Sequence, residues 1–124
     1  MLKTAEWQIK HPKHAQNDWT NAAFYAGMFA TWEATKSQTI YEAMMSMGDD
    51  STQWRPYKRW YHADDIAICQ TYIDLYRIEK REDMFRPTLD TLEILLNNPY
   101  PYKGIQVIKW WWCDALFMGP PVLV

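Results

Sequence analysis

Laid over itself at an offset of 44 residues, the chain matches apolar on apolar and turn on turn. Phe24 falls on Ile68, Met28 on Tyr72, Phe29 on Ile73 and Trp32 on Tyr76. Lys36 then falls on Lys80, Ile40 on Met84 and Tyr41 on Phe85. Apolar residues at three- and four-residue steps on both sides of a short turn describe two helices folded back on each other. Self-similarity at this period marks stacked αα-hairpins. One such hairpin leaves an apolar face that only a neighbour can cover, so the repeat dictates stacking as well as helicity. The expected class is all-α, built of αα-hairpin repeats in a single domain over residues 1–124.

The boundaries follow from local chemistry. Residues 1–17 read as a polar, solvated lead-in; His11 and His14 have metal-ligand spacing, but Pro12 between them and the flanking lysines argue against a site. Asp18, Thr20 and Asn21 are N-cap formers that open a first helix to about Thr35. Residues 36–38 turn the chain into a second helix carrying Ile40, Tyr41, Met44, Met45 and Met47, with Gly48 expected to end it as the residue after the cap. Residues 48–61 read as a polar loop with Trp54 and Trp60. His62-Ala63-Asp64-Asp65 opens a third helix, residues 79–81 turn, and a fourth runs to about Asn97 with Pro87 early in it. Residues 98–107 are a loop, Asp114 sits near the start of a fifth helix, and Pro120-Pro121 should end or kink it.

Charge and composition exclude several partners. A net charge of −2 gives no basic excess for nucleic acid, and no apolar run approaches the length of a membrane span. The opening residues hold no hydrophobic signal-peptide core, so no export signal is expected in the chain as it stands, and Cys69 and Cys113 read as free thiols.

Eight tryptophans concentrate interest on Trp110-Trp111-Trp112-Cys113-Asp114. Three successive rings cannot share one face of a helix or strand, so at least one looks into a cleft or solvent. Flat aromatic faces beside an acid suit a sugar, whose apolar ring face stacks while a poorly solvated carboxyl acts as general acid. The bland alternative is Asp114 as a first-turn carboxylate favoured by the helix dipole. The repeat bears on the choice. Thr20 and Asn21 fall on Asp64 and Asp65, and an offset of 50 brings Asp64 onto Asp114. With the hairpins set around an axis, the starts of helices one, three and five share a mouth lined by Asp64 or Asp65, Asp114, Trp19, His62 and the tryptophan run. An open α-solenoid would use the same residues as caps. A metal site from His62, Asp64 and Asp65 is a weak third reading, because contiguous residues at a helix start rarely all reach one ion.

Three blocks, Asp18-Trp19-Thr20-Asn21-Ala22-Ala23-Phe24-Tyr25-Ala26-Gly27, His62-Ala63-Asp64-Asp65-Ile66-Ala67-Ile68-Cys69-Gln70-Thr71-Tyr72 and Trp110-Trp111-Trp112-Cys113-Asp114-Ala115-Leu116-Phe117-Met118, together resemble the unsaturated rhamnogalacturonyl and unsaturated glucuronyl hydrolases, glycoside hydrolase families 105 and 88. The resemblance implies a partial (α/α)6 barrel. It also implies removal of the unsaturated uronic acid that polysaccharide lyases leave on pectin or glycosaminoglycan fragments, with no metal or organic cofactor. By this resemblance Asp114 is the general acid/base, Asp64 the second active-site aspartate (Asp65 if the register slips by one), and Trp112 a stacking residue. Trp19, Asn21, His62 and Asp65 join the substrate-binding set. Lys103 is the candidate cation for the substrate carboxylate, with Arg55 and Lys58 behind it. Ala22 stands where the family pattern has glycine and Gly119 where it has alanine. A six-hairpin ring outruns this chain, which reaches only into a third hairpin. The expectation is therefore an N-terminal portion, with further copies covering exposed helix faces or with an inactive or purely carbohydrate-binding module as the alternative.

Overall fold

The computed structural model describes residues 2–98 and 112–124. Their regular structure is helical throughout: α1 Leu2–Lys10, α2 Trp19–Thr35, α3 Gln38–Ser46, a π-helical turn Met47–Thr52, α4 Ala63–Ile66, α5 Cys69–Glu79, α6 Glu82–Asn97, α7 Ala115–Met118 and α8 Pro120–Leu123. Helices α2 and α3 form one hairpin and α5 and α6 the next; α2 packs against α5, α4 against α7, and α5 against α8. None of the described helices is long and apolar enough to cross a membrane.

The repeat holds down to single atoms. Lys36 and Lys80, 44 apart, both cap their helices in the left-handed region (φ 53° and 57°). Their N–H groups donate to Trp32 O at 2.7 Å and Tyr76 O at 2.8 Å. A non-glycine residue in this conformation costs about 1–2 kcal/mol. Each lysine offsets part of that by laying its ammonium over the aromatic ring of its own last turn, Trp32 at 4.3 Å and Tyr76 at 5.7 Å. Those rings pack on Tyr41 and Phe85, in both cases with centroids 5.1 Å apart. Met28, Ile40 and Met44 from the first hairpin meet Ile68, Tyr72, Leu75 and Met84 from the second in one buried core.

Three expectations need correction. Residues 2–10 are a helix rather than a solvated lead-in, because Ala5 and Ile9, one turn apart, face the core. The third helix is two helices, α4 and α5, separated at Ala67 and Ile68. The fifth, by contrast, ends before the prolines as expected: α7 stops at Met118, and Pro120 opens α8 where a missing N–H is harmless. Gly48 does not end α3. It lies inside the π-helical turn, and the chain reverses later, at Gln53 and Trp54 (φ 52° and 57°).

Gly48 is there for space. Trp54 folds back over it so closely that a Cβ at position 48 would lie 2.3 Å from two ring carbons of the indole. Trp54 is buried, donates from Nε1 to Asp49 Oδ1 at 3.0 Å, and meets the edge of Tyr72 at 5.4 Å. Arg81 completes the clasp between the hairpins, with Nη2 2.7 Å from Asp49 Oδ1 and 2.6 Å from Asp83 Oδ2.

Gly48→Ala is expected to destabilise by about 1–3 kcal/mol in chemical denaturation, because the indole must move. Gly27→Ala, with nothing within 4 Å of the new Cβ, should be neutral or stabilising by up to about 1 kcal/mol. Equal effects would show that Trp54 does not constrain position 48. A second expectation concerns acid. Hydrogen bonds from Arg81 hold the Asp49 carboxyl below its ordinary value of 3.8. A depressed carboxylate stabilises the fold above its unfolded value and loses that contribution as pH falls. The melting temperature of Asp49→Asn should therefore fall less than that of the parent between about pH 5 and 3.

Candidate active site

Each hairpin begins with a buried polar residue that ties the helix start to the loop before it. In α2 this is Asn21, whose Nδ2 donates to Ala15 O at 2.9 Å and His14 O at 3.1 Å. In α4 it is Asp65, 44 positions on and 1 % exposed. Its Oδ2 accepts from the Arg59 backbone N–H at 2.6 Å, and its two oxygens accept from Arg59 Nε and Nη2 at 2.7–3.2 Å. Ala15 and Arg59 are also 44 apart, so the two anchors are the same device with the hydrogen-bond polarity reversed. Asn21 and Asp65 hold the loops.

The residue before each anchor is more open. Thr20 donates from its backbone N–H and its hydroxyl to Asp18 Oδ1, the N-cap of α2. Asp64, its counterpart, keeps a quarter-exposed carboxylate. Its Oδ2 lies 3.3 Å from His62 Nδ1 and 3.7 Å from Arg59 Nη2. His62 is the N-cap of α4, and its Nδ1 is buried without a hydrogen bond, since the approach to Asp64 is close but poorly aligned. His62, Asp64 and Asp65 bring three ligand-type atoms within 4.8 Å of one another. The guanidinium of Arg59 touches both carboxylates there and supplies the positive charge that the pair requires. The donor set is therefore that of an ion-paired anchor and fits a metal poorly.

Asp114 caps α7 through its backbone only; its carbonyl accepts from Phe117 and Met118, and its carboxylate makes no capping hydrogen bond and is exposed. A four-residue helix has little dipole to offer, which removes the first-turn reading of this acid. Trp112, 70 % exposed, stands two residues before it, and Trp19, 43 % exposed, opens α2. The starts are brought together in series: α2 packs on α4 and α4 on α7, while Gln70 Nε2 donates to Phe117 O at 2.7 Å and Met118 O at 3.2 Å. Lys103, Trp110 and Trp111 lie outside the described residues. Both cysteines are free thiols; burial pushes Cys69 up to about 12, while Cys113 is exposed. Arg59 escaped the sequence reading because its repeat partner is Ala15 and its loop has no periodicity.

The model of Glycosyl Hydrolase Family 88 matches residues 1–124. The chain is 37% identical over 134 aligned positions to an unsaturated 3S-rhamnoglycuronyl hydrolase of Formosa agariphila, covering 99% of this chain and 35% of that protein. A protein of the same name from Alteromonas sp. is 28% identical over 145 positions, covering 94% of this chain and 35% of its own length. The chain thus spans about a third of the length of the curated relatives it matches.

The two adjacent aspartates should respond differently to loss of charge. Asp65→Asn is expected to cost about 1–3 kcal/mol in urea denaturation, because a buried acceptor of an N–H and a guanidinium is replaced by an amide. Asp64→Asn should stay within about 0.5 kcal/mol of the parent. A reversed order would mean that Asp64, not Asp65, holds the loop.

Proposed function

Since the chain belongs to glycosyl hydrolase family 88, we propose that it carries the catalytic aspartates of an enzyme that releases an unsaturated uronyl residue from an oligosaccharide by hydrating its C4=C5 double bond. The reading rests on one observation above the rest. Of three acids at adjoining helix starts, Asp65 is locked by Arg59, whereas Asp64 and Asp114 keep open carboxylates on elements that pack together.

The chemistry needs one proton donor and one anion. The substrate ring is an enol ether conjugated to a carboxylate, so the Asp114 carboxylic acid protonates C4. Positive charge develops at C5 and is shared with the ring oxygen. Asp64 supplies a negative charge beside it, which favours the cation. Water then adds at C5 and gives a proton back to Asp114, which regenerates the acid. The resulting hemiketal opens to a C5 ketone, and C1, now a hemiacetal, expels the next sugar as an alcohol. No bond to the glycosidic oxygen has to be broken by direct protonation and attack at C1, which distinguishes this route from two-carboxylate hydrolysis. The names of the two relatives favour a rhamnose-linked unsaturated glycuronyl unit as substrate. Trp112 and Trp19 offer the stacking faces, and His62, beside Asp64, joins the substrate-binding set. A second copy packed over α7 and α8 belongs to the same proposal, because it would remove Leu116, Phe117 and Leu123 from water.

The exposed rings at Trp19 and Trp112 also favour a second reading, a sugar-binding module without turnover. Loss of the ultraviolet absorbance of an unsaturated uronyl disaccharide separates the two. Turnover by the parent, with helical Asp114→Asn slower by about 10²–10⁴-fold and still binding sugar, is the expected result for a general acid. Undiminished turnover in Asp114→Asn would overturn its role. Binding without turnover in a folded parent would favour the module.

A further inference from the structure

A second feature of this chain lies away from the helix starts. The loop between the hairpins runs alongside α6 and encloses two adjoining cavities, of about 280 and 310 Å³, that share Arg55 and Pro87. On the α6 side the lining residues are 83, 86, 87, 90, 91 and 94, at the three- and four-residue steps of one helical face. The groove therefore follows the helix for about 16 Å. Pro56 and Trp60 form the opposite wall at one end, Gln53 and Trp54 at the other. Neither lining includes Asp64, Asp114, His62, Trp19 or Trp112.

Three carboxylates, Asp49, Asp83 and Asp90, and three guanidinium groups, Arg55, Arg81 and Arg86, stand at the groove, and Arg55 is the one of the six without an ion-pair partner among the described residues. Arg86 Nε sits 2.7 Å from Asp90 Oδ1, and Asp49 and Asp83 are both held by Arg81. Arg55 has an exposed side chain and no carboxylate partner among the described residues. Its backbone, by contrast, is held on every side. Its N–H donates to Thr52 O at 3.2 Å, and its carbonyl lies 3.2 Å from both Asn17 Nδ2 and the Tyr72 hydroxyl. The backbone of Arg55 is thus firmly placed, and its side chain lines both cavities with Pro87, one of them shared with the exposed indole of Trp60 (39 % accessible).

We propose that this groove is an accessory subsite for an anionic oligosaccharide. Trp60 and Pro87 present apolar faces to sugar C–H groups, Gln53 and the groove carboxylates hydrogen-bond hydroxyls, and Arg55 pairs with a carboxylate or a sulfate ester. A guanidinium meets either anion with two parallel N–H groups. A helical or lipid partner would call for a continuous apolar lining, which the paired Asp49, Asp83, Arg86 and Asp90 interrupt. The groove would hold an acidic chain while another part of it reaches the helix starts, and its binding does not depend on turnover.

Equilibrium titration of the chain with an oligogalacturonate, a sulfated carrageenan oligosaccharide and a neutral cello-oligosaccharide tests this directly. Arg55→Gln keeps all three backbone contacts, so its fold should be intact; it should weaken binding of the acidic ligands about fivefold or more and reduce their salt dependence. Trp60→Ala should weaken the same ligands, and the cello-oligosaccharide should bind worse than either acidic one. Asp64→Asn and Asp114→Asn should leave these affinities within about twofold, even if turnover is lost. The carboxylated and sulfated arms show which anion Arg55 prefers. Equal binding by Arg55→Gln and the parent, loss of binding in Asp114→Asn, or no binding of either acidic ligand to the parent would overturn the proposal.

Discussion

The two hairpins are one body because of what surrounds Tyr72. Its ring is fully buried, and its hydroxyl donates to Thr52 Oγ1 at 2.7 Å, at the end of the π-helical turn. Thr52 in turn donates to Met47 O across that turn at 3.1 Å. Burial drives the Tyr72 phenol well above its ordinary titration range, so it remains a neutral donor. Trp54 closes on the same ring from the other side and excludes any side chain at position 48. An unpaired hydroxyl in this place would carry its full desolvation cost, which makes Tyr72 and Thr52 a joint requirement.

From that joint the rest of the loop takes its place. Arg55 and Tyr57 are fixed by their backbone bonds to the second hairpin, and Arg59 reaches Asp65 from both main chain and side chain. A buried carboxylate with a half-exposed arginine is a weak source of net stability. Its value here is positional: it leaves Asp64, one residue earlier, turned outward. The repeat therefore divides labour between neighbours, with Asn21 and Asp65 holding loops while Thr20, Asp64 and Asp114 occupy the freer position.

The hairpin order and the turns at Lys36 and Lys80 were legible before any coordinates, because helix period and turn position depend on local sequence. The burial of Met28, Ile40, Tyr72 and Met84 was legible for the same reason. The register of the aspartates was not. Asp64 and Asp65 are chemically identical, and only the path of the preceding loop decides which one meets Arg59. Gly48 was misread on similar grounds: a glycine after a helical run ordinarily reads as an end signal, and its true partner, Trp54, lies in the loop that follows.

The chain by itself determined that it would be all-helical, that it would stack hairpins, and that Asp64, Asp65 and Asp114 would stand at helix starts. These follow from spacing and side-chain type, which act over a few residues. Tertiary structure alone decided that α1 packs on the core, that Asp65 is sealed while Asp64 is open, and that loop and α6 leave a groove around Arg55. Each of those depends on residues from different elements arriving at one place. That meeting is set by loop paths and close contacts, such as the indole of Trp54 on Gly48, which leave no periodic trace in the sequence.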